Sequence, residues 1–96
     1  MIDLHMHTFV SDGALGPAEL VRRACVAGYR GLALTDHADE GTLEHVVTLL
    51  RASARTLHRI AGLDVVAGVE LTHVPPRRLP AVIRRADEIA VVAAGE

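Results

Sequence analysis

The sequence predicts an α/β fold with a parallel sheet, about four strands joined by three helices. Three observations carry this. Short apolar runs alternate with longer segments of helical period, and the second run is apolar on both faces, as buried parallel strands are. Histidines and acidic residues fall at the ends of the runs, where parallel α/β folds build their sites.

The first strand is read over Ile2 to His7, with Ile2, Leu4 and Met6 on one face and Asp3, His5 and His7 on the other. A turn follows at Ser11-Asp12-Gly13. Gly16-Pro17 opens the first helix, since proline at the first helical position sacrifices no hydrogen bond. Leu20, Val21, Ala24 and Cys25 form its apolar stripe, and Gly28 stops it. Leu32 to Thr35 is the second strand, leading into Asp36-His37. A long helix from about Thr42 to Ala61 presents Leu43, Val46, Val47, Leu50, Leu57 and Ala61 along one side, and Gly62 closes it. Val65 to Val69 is the third strand and ends in Glu70. After a loop at Pro75-Pro76, Leu79 to Glu88 gives a short helix with Leu79, Val82, Ile83 and Ala86 inward, and Ile89 to Ala93 a fourth strand. Residues 1–96 read as one domain.

Composition narrows the function classes. Ten Lys+Arg against 12 Asp+Glu leave no basic surface for nucleic acid, and the arginine pairs read as solvated helix faces. The longest apolar run, Ile89 to Ala94, falls far short of the roughly 20 residues of a membrane span. The N-terminus is charged and carries histidines at once, which is unlike a signal peptide. One cysteine excludes an internal disulfide and fits a reducing, cytoplasmic setting.

Residues with metal-ligand chemistry cluster at successive strand ends: His5 and His7, Asp12, His37 and Glu70. Positions two apart on a strand share a face, so His5 and His7 can converge on one ion. Imidazole suits transition metals, and carboxylates supply the charge that lets two cations approach. Glu70 can bridge, and Asp12 can close an outer position. Asp3 lies on the His5 face and could orient a ligand histidine. Asp36 can cap the following segment or serve the site indirectly. His73, in a proline-braced loop just past Glu70, is placed to meet substrate. No residue is assigned a catalytic role apart from the metal site.

Asp3-Leu4-His5-Met6-His7-Thr8, Ser11-Asp12-Gly13, Leu34-Thr35-Asp36-His37 and Gly68-Val69-Glu70, in this order, resemble the first three motifs of the polymerase and histidinol phosphatase (PHP) family. Its stand-alone, histidinol-phosphatase-like members look closest. The resemblance implies a partial TIM-like (β/α) barrel, the family barrel being distorted and about twice this length. It implies two or three Zn, Mn or Fe ions and hydrolysis of a small phosphorylated substrate. His5 and His7 would bind one ion, Glu70 would bridge, and Asp12 and His37 would serve the neighbour. A water activated by the metals would attack phosphorus in line. The departure is at the end of the fourth strand, where Ala94 stands in the place of a family histidine and later ligands are absent.

A partial barrel exposes strand edges, so self-association or a complementing chain is expected there. The chain then reads as the N-terminal part of a PHP domain, inactive alone or half of a split enzyme. A second reading is a non-catalytic metal-binding or interaction module. A third is an amidohydrolase-like enzyme acting on C–N bonds, with which His-x-His is shared.

Overall fold

The computed structural model describes residues 1–94, with side chains for all of these except 59–61 and 90–94. The elements run β1 (Ile2–Met6), α1 (Pro17–Val26), β2 (Gly31–Leu34), β3 (His37–Ala38), α2 (Leu43–Ala61), β4 (Asp64–Ala67), β5 (Glu70–Leu71) and α3 (Leu79–Ala94). β1, β2 and β4 form a parallel sheet in the order β1-β2-β4, and β3 pairs with β5, also in parallel.

The expected second and third strands each break in two. The ladder nevertheless continues across the breaks: Gly68 N donates to Leu34 O at 2.9 Å and Glu70 N to Asp36 O at 3.0 Å. β3 and β5 therefore prolong β2 and β4, and their register sets His37 directly beside Glu70. β1 carries an irregularity between Asp3 and Met6, where three steps along β1 match two along β2. Such a bulge re-aims the side chains within and just beyond it, which here are those of His5 and His7.

Local chemistry accounts for the helices. α1 starts on Gly16 and Pro17, carries Glu19 in its first turn, and pairs that carboxylate with Arg22 and Arg23 one turn on. These arginines hold Glu19 at about 2. α2 ends on Gly62, whose φ of 74° is the left-handed conformation that glycine adopts without penalty. Leu43, Val46, Val47, Leu50 and Ala54 make its buried stripe. That stripe packs on β2, every residue of which is buried, and on Val65 of β4. Burying a side chain such as Leu50 contributes about 1.5–3 kcal/mol, so this seam dominates the stability of the unit. Val21 and Ala24 of α1 and Val82 and Ile89 of α3 complete the core.

Several expectations change. The fourth strand is absent from the described residues, because α3 continues to Ala94 through the segment predicted as strand. Periodicity cannot separate a short buried strand from a helix segment, and no Gly or Pro interrupts the chain between Pro80 and Gly95. The alanine-rich run therefore extends the helix before it. Ala94 thus lies on α3 rather than at a strand end, and Gly95-Glu96 lie outside the described residues. Ile83 is 46% exposed rather than inward. Cys25, expected in the core, is exposed at the edge of the α1 stripe. His58 of α2 accepts a hydrogen bond from Val65 N at 3.1 Å. Ile2 and Leu4 are 66% and 70% exposed, so only Met6 of the apolar face of β1 packs on the core. Among the described residues no helix is long and apolar enough to cross a membrane.

Candidate metal centre

The five strand-end residues converge. β1 brings His5 and His7 to the rim, the loop after it brings Asp12, and the paired β3 and β5 bring His37 and Glu70. Glu70 Oε1 lies 2.5 Å from His5 Nε2 and 3.1 Å from His7 Nε2, and those two nitrogens are 3.1 Å apart. Its other oxygen, Oε2, lies 3.0 Å from His37 Nδ1. One carboxylate therefore faces two histidine groups, one with each oxygen. Asp12 mirrors this arrangement, with Oδ1 at 2.8 Å from His7 Nδ1 and Oδ2 at 3.1 Å from His37 Nε2.

Two groupings of donor atoms are compact enough for an ion, His5-His7-Glu70 and His7-Asp12-His37, each with its atoms within 4.8 Å of one another. A tetrahedral ion with metal–nitrogen bonds of about 2.05 Å separates its ligand atoms by about 3.3 Å. The Nε2–Nε2 and His7 Nε2–Glu70 separations of 3.1 Å approach that figure. The His5–Glu70 contact at 2.5 Å has hydrogen-bond length and would open by less than an ångström. The first grouping fits a divalent transition metal in donor type and in spacing.

The groupings share His7, and its hydrogen bonds decide which one it serves. With Nδ1–H donated to Asp12, the lone pair of Nε2 turns toward His5 and Glu70. Asp12 then orients a ligand histidine, a task the sequence reading had given to Asp3. Asp3 instead accepts from the backbone amide of His5 at 3.0 Å and steadies the strand.

The charges reinforce this. Partial burial works against a proton on His7, but Asp12 and Glu70 outweigh it and raise the imidazole above 6.5. Glu70 is held below the usual carboxylate range by the His5 hydrogen bond above all, and Asp12 by its hydrogen bond to His7. Without a cation these carboxylates favour a proton on His7, and a cation would displace it.

Asp36 holds the cluster together from below. It is fully buried, and it accepts from Thr8 N at 2.7 Å, Thr8 Oγ1 at 2.8 Å and Ser11 Oγ at 2.6 Å. It thus ties the end of β2 to the loop that carries Asp12. That loop folds tightly on itself, with Ser11 N and Gly13 N both donating to Thr8 O. A Cβ at Gly13 would stand 2.4 Å from the His7 carbonyl oxygen, so close backbone approach, not a special φ, demands glycine there.

Thr72 was missed by the sequence reading. Its Oγ1 lies 2.6 Å from His37 Nδ1 and 3.3 Å from Glu70 O. If the hydroxyl donates to that carbonyl, its oxygen accepts Nδ1–H and leaves His37 Nε2 unprotonated toward Asp12. The available signal was register: two residues past Glu70 on a strand is the same face. His73 lines an open cleft of about 460 Å³ that Asp12 and His37 also border.

This parallel α/β unit with a His/carboxylate cluster on one rim is built like the metal-holding rim of a hydrolase. The comparison with known sequences agrees: residues 3–93 match the PHP domain, and the chain belongs to that family. It is 41% identical to an uncharacterized protein of Methanocaldococcus jannaschii over 98% of this chain and 45% of that protein. It is 36% identical to a 5'-3' exoribonuclease of Haemophilus influenzae over 73% of this chain and 23% of the relative. It is 41% identical to a 3',5'-nucleoside bisphosphate phosphatase of Chromobacterium violaceum over 74% of this chain and 22% of the relative. The chain thus spans less than half the length of these curated relatives. The family and the names of these relatives support a phosphoesterase type of protein.

Proposed function

We propose that this chain supplies the metal-binding part of a phosphoesterase that hydrolyses a small phosphate ester with divalent Zn, Mn or Fe, two or three ions serving the full family domain. One observation carries the reading: Glu70 presents Oε1 to His5 and His7 and Oε2 to His37, beside Asp12. His5, His7 and Glu70 would hold one ion, and Asp12 and His37 would serve a second that shares Glu70. When bound, such ions neutralise phosphoryl oxygens and bring the pKa of water down to about 7.

The chain's own residues do the positioning. Asp12 orients the His7 ring, Thr72 and Glu70 orient the His37 ring, and Asp36 fixes the loop that carries Asp12. The cluster lies on an open rim, with His5 67% exposed in its side chain, so a phosphoryl group can reach it without rearrangement.

The proposed whole is a (β/α) barrel of which these strands are the first, placed in a reducing cytoplasm, as the single cysteine suggests. β1 and β4 each keep one unpaired edge in the described sheet, and the exposed Ile2 and Leu4 continue an apolar face beyond it. Further polypeptide, from this protein or a complementing copy, would complete that face.

Metal analysis by mass spectrometry, with hydrolysis of p-nitrophenyl phosphate, tests the reading. The chain is expected to retain one or two ions, and Glu70→Gln and His7→Ala to retain markedly fewer. A chain that binds no Zn or Mn above the level of these variants would sink the proposal. Metal retention with inert behaviour in every oligomeric form would favour the non-catalytic module.

A further inference from the structure

Beside the metal centre the cleft bordered by Asp12 and His37 continues outward between two segments, Ala38 to Thr42 and the turn at Thr72-His73. Two features of its outer wall stand out. Asp39 is fixed in place: Thr42 N and Thr42 Oγ1 both donate to its Oδ1, at 2.9 and 3.1 Å.

His73 is the other. With φ of 58° it is the one non-glycine residue among the described residues in the left-handed region. A glycine would take that conformation freely, whereas a side chain there is strained, and such strain gathers at ligand sites. The chain is anchored on either side of it. Thr72 N donates to Ala38 O at 2.9 Å, Val74 packs against the core, and Pro75 O accepts from Arg78 N at 2.8 Å. The turn therefore falls on His73 alone and sets it on the cleft wall beside Asp39.

Electrostatics decides what this space can take. A phosphoryl group would go to the ions, with Asp12 engaged beside them, and the Asp39 carboxylate would disfavour a second anion in the cleft. The remainder of the ester must still occupy the adjoining volume. No Phe, Tyr or Trp lines it, and its rings are the imidazoles of His37 and His73. It offers an acceptor at Asp39 and an imidazole at His73, a pair complementary to neighbouring hydroxyl groups.

We propose that this cleft is the subsite for the alcohol part of the ester, with His73 and Asp39 binding the hydroxyls of a sugar or polyol phosphate. The inference rests on the phosphoesterase reading above.

The test is calorimetry on the full chain loaded with Mn²⁺, its metal content measured first, with inorganic phosphate and ribose 5-phosphate as probes. Ribose 5-phosphate is expected to bind about tenfold more tightly than phosphate, the effect of one or two well-placed hydrogen bonds. His73→Gly removes the imidazole while relaxing the turn, so it separates recognition from folding. That variant and Asp39→Asn should each lose the ribose advantage while phosphate binding stays within about twofold. His73→Asn, which tolerates the left-handed turn and can hydrogen-bond, should keep part of it. The subsite is overturned if the advantage is absent in the unmodified protein, survives in both variants, or falls together with phosphate binding. If the loaded protein binds neither probe, the phosphoesterase reading fails and takes this inference with it.

Discussion

Removing the Asp36 carboxylate tests how the site is held, and the structure gives the size of the effect. Three donors converge on this fully buried side chain, from Thr8 N, Thr8 Oγ1 and Ser11 Oγ. In Asp36→Ala, Ser11 is half-buried and can turn to water, but the two Thr8 donors are sealed in by a residue that is itself fully buried. Each buried donor left without a partner costs about 1–3 kcal/mol, and the vacated volume adds to this, giving a loss of about 3–5 kcal/mol. That is a large share of the roughly 5–15 kcal/mol that stabilises a domain. Asp36→Asn keeps the shape. Its oxygen can accept from Thr8 N and Ser11 Oγ, while Thr8 Oγ1 rotates to accept from the new amide. The charge assistance is lost and the Thr8 hydroxyl proton loses its acceptor, about 1–3 kcal/mol together, less than in Asp36→Ala where the cavity is added. Urea unfolding of the metal-free proteins measures both values. If Asp36→Ala falls within about 1 kcal/mol of the unmodified chain, or Asp36→Asn is as damaging as Asp36→Ala, the tie between β2 and the Asp12 loop is not what holds the rim.

Three further predictions follow from the same geometry. Gly13→Ala forces a Cβ to within 2.4 Å of the His7 carbonyl oxygen, so it should cost a few kcal/mol in urea unfolding and weaken Zn²⁺ binding in calorimetry. Raised above 6.5 in the metal-free protein, His7 contributes stability that is fully present below that pH and is lost as pH rises through its folded value. An ion needs the imidazole neutral, so Zn²⁺ affinity should move the other way and weaken as pH falls through the same value; calorimetry at several pH values reads this. The Glu19 carboxyl should titrate near 2 by NMR, its contribution present above pH 4.5 and lost on acidification toward 2, and Arg22→Ala should raise the midpoint.

Much of this was legible in the sequence because the physics is local. Apolar runs on both faces give a buried parallel strand such as β2, and Gly62 marks the end of α2 because only its left-handed turn closes the helix cheaply. The convergence of His5, His7, Asp12, His37 and Glu70 follows from strand ends sharing a rim, and that too could be read residue by residue. What could not be read depends on partners distant in sequence. Asp3 turns to the His5 amide and Asp12 to the His7 ring because a folded loop, not strand period alone, decides which carboxylate reaches an imidazole. Asp36 could cap the following segment or serve the site indirectly, and its burial under Thr8 and Ser11 becomes visible only when β1 lies against β2. The segment after Glu88 carried no turn residue to tell strand from helix, and α3 runs through it.

Glu70 is proposed to join the His5-His7 pair to His37 around divalent metal. Anomalous diffraction at the zinc edge, from crystals of the protein grown with Zn²⁺, tests it most directly. The account predicts a peak between His5 Nε2, His7 Nε2 and Glu70 Oε1, with any second peak on the His37 side of the same carboxylate. Zinc found only elsewhere on the molecule, with these five side chains still bonded to one another, would contradict it.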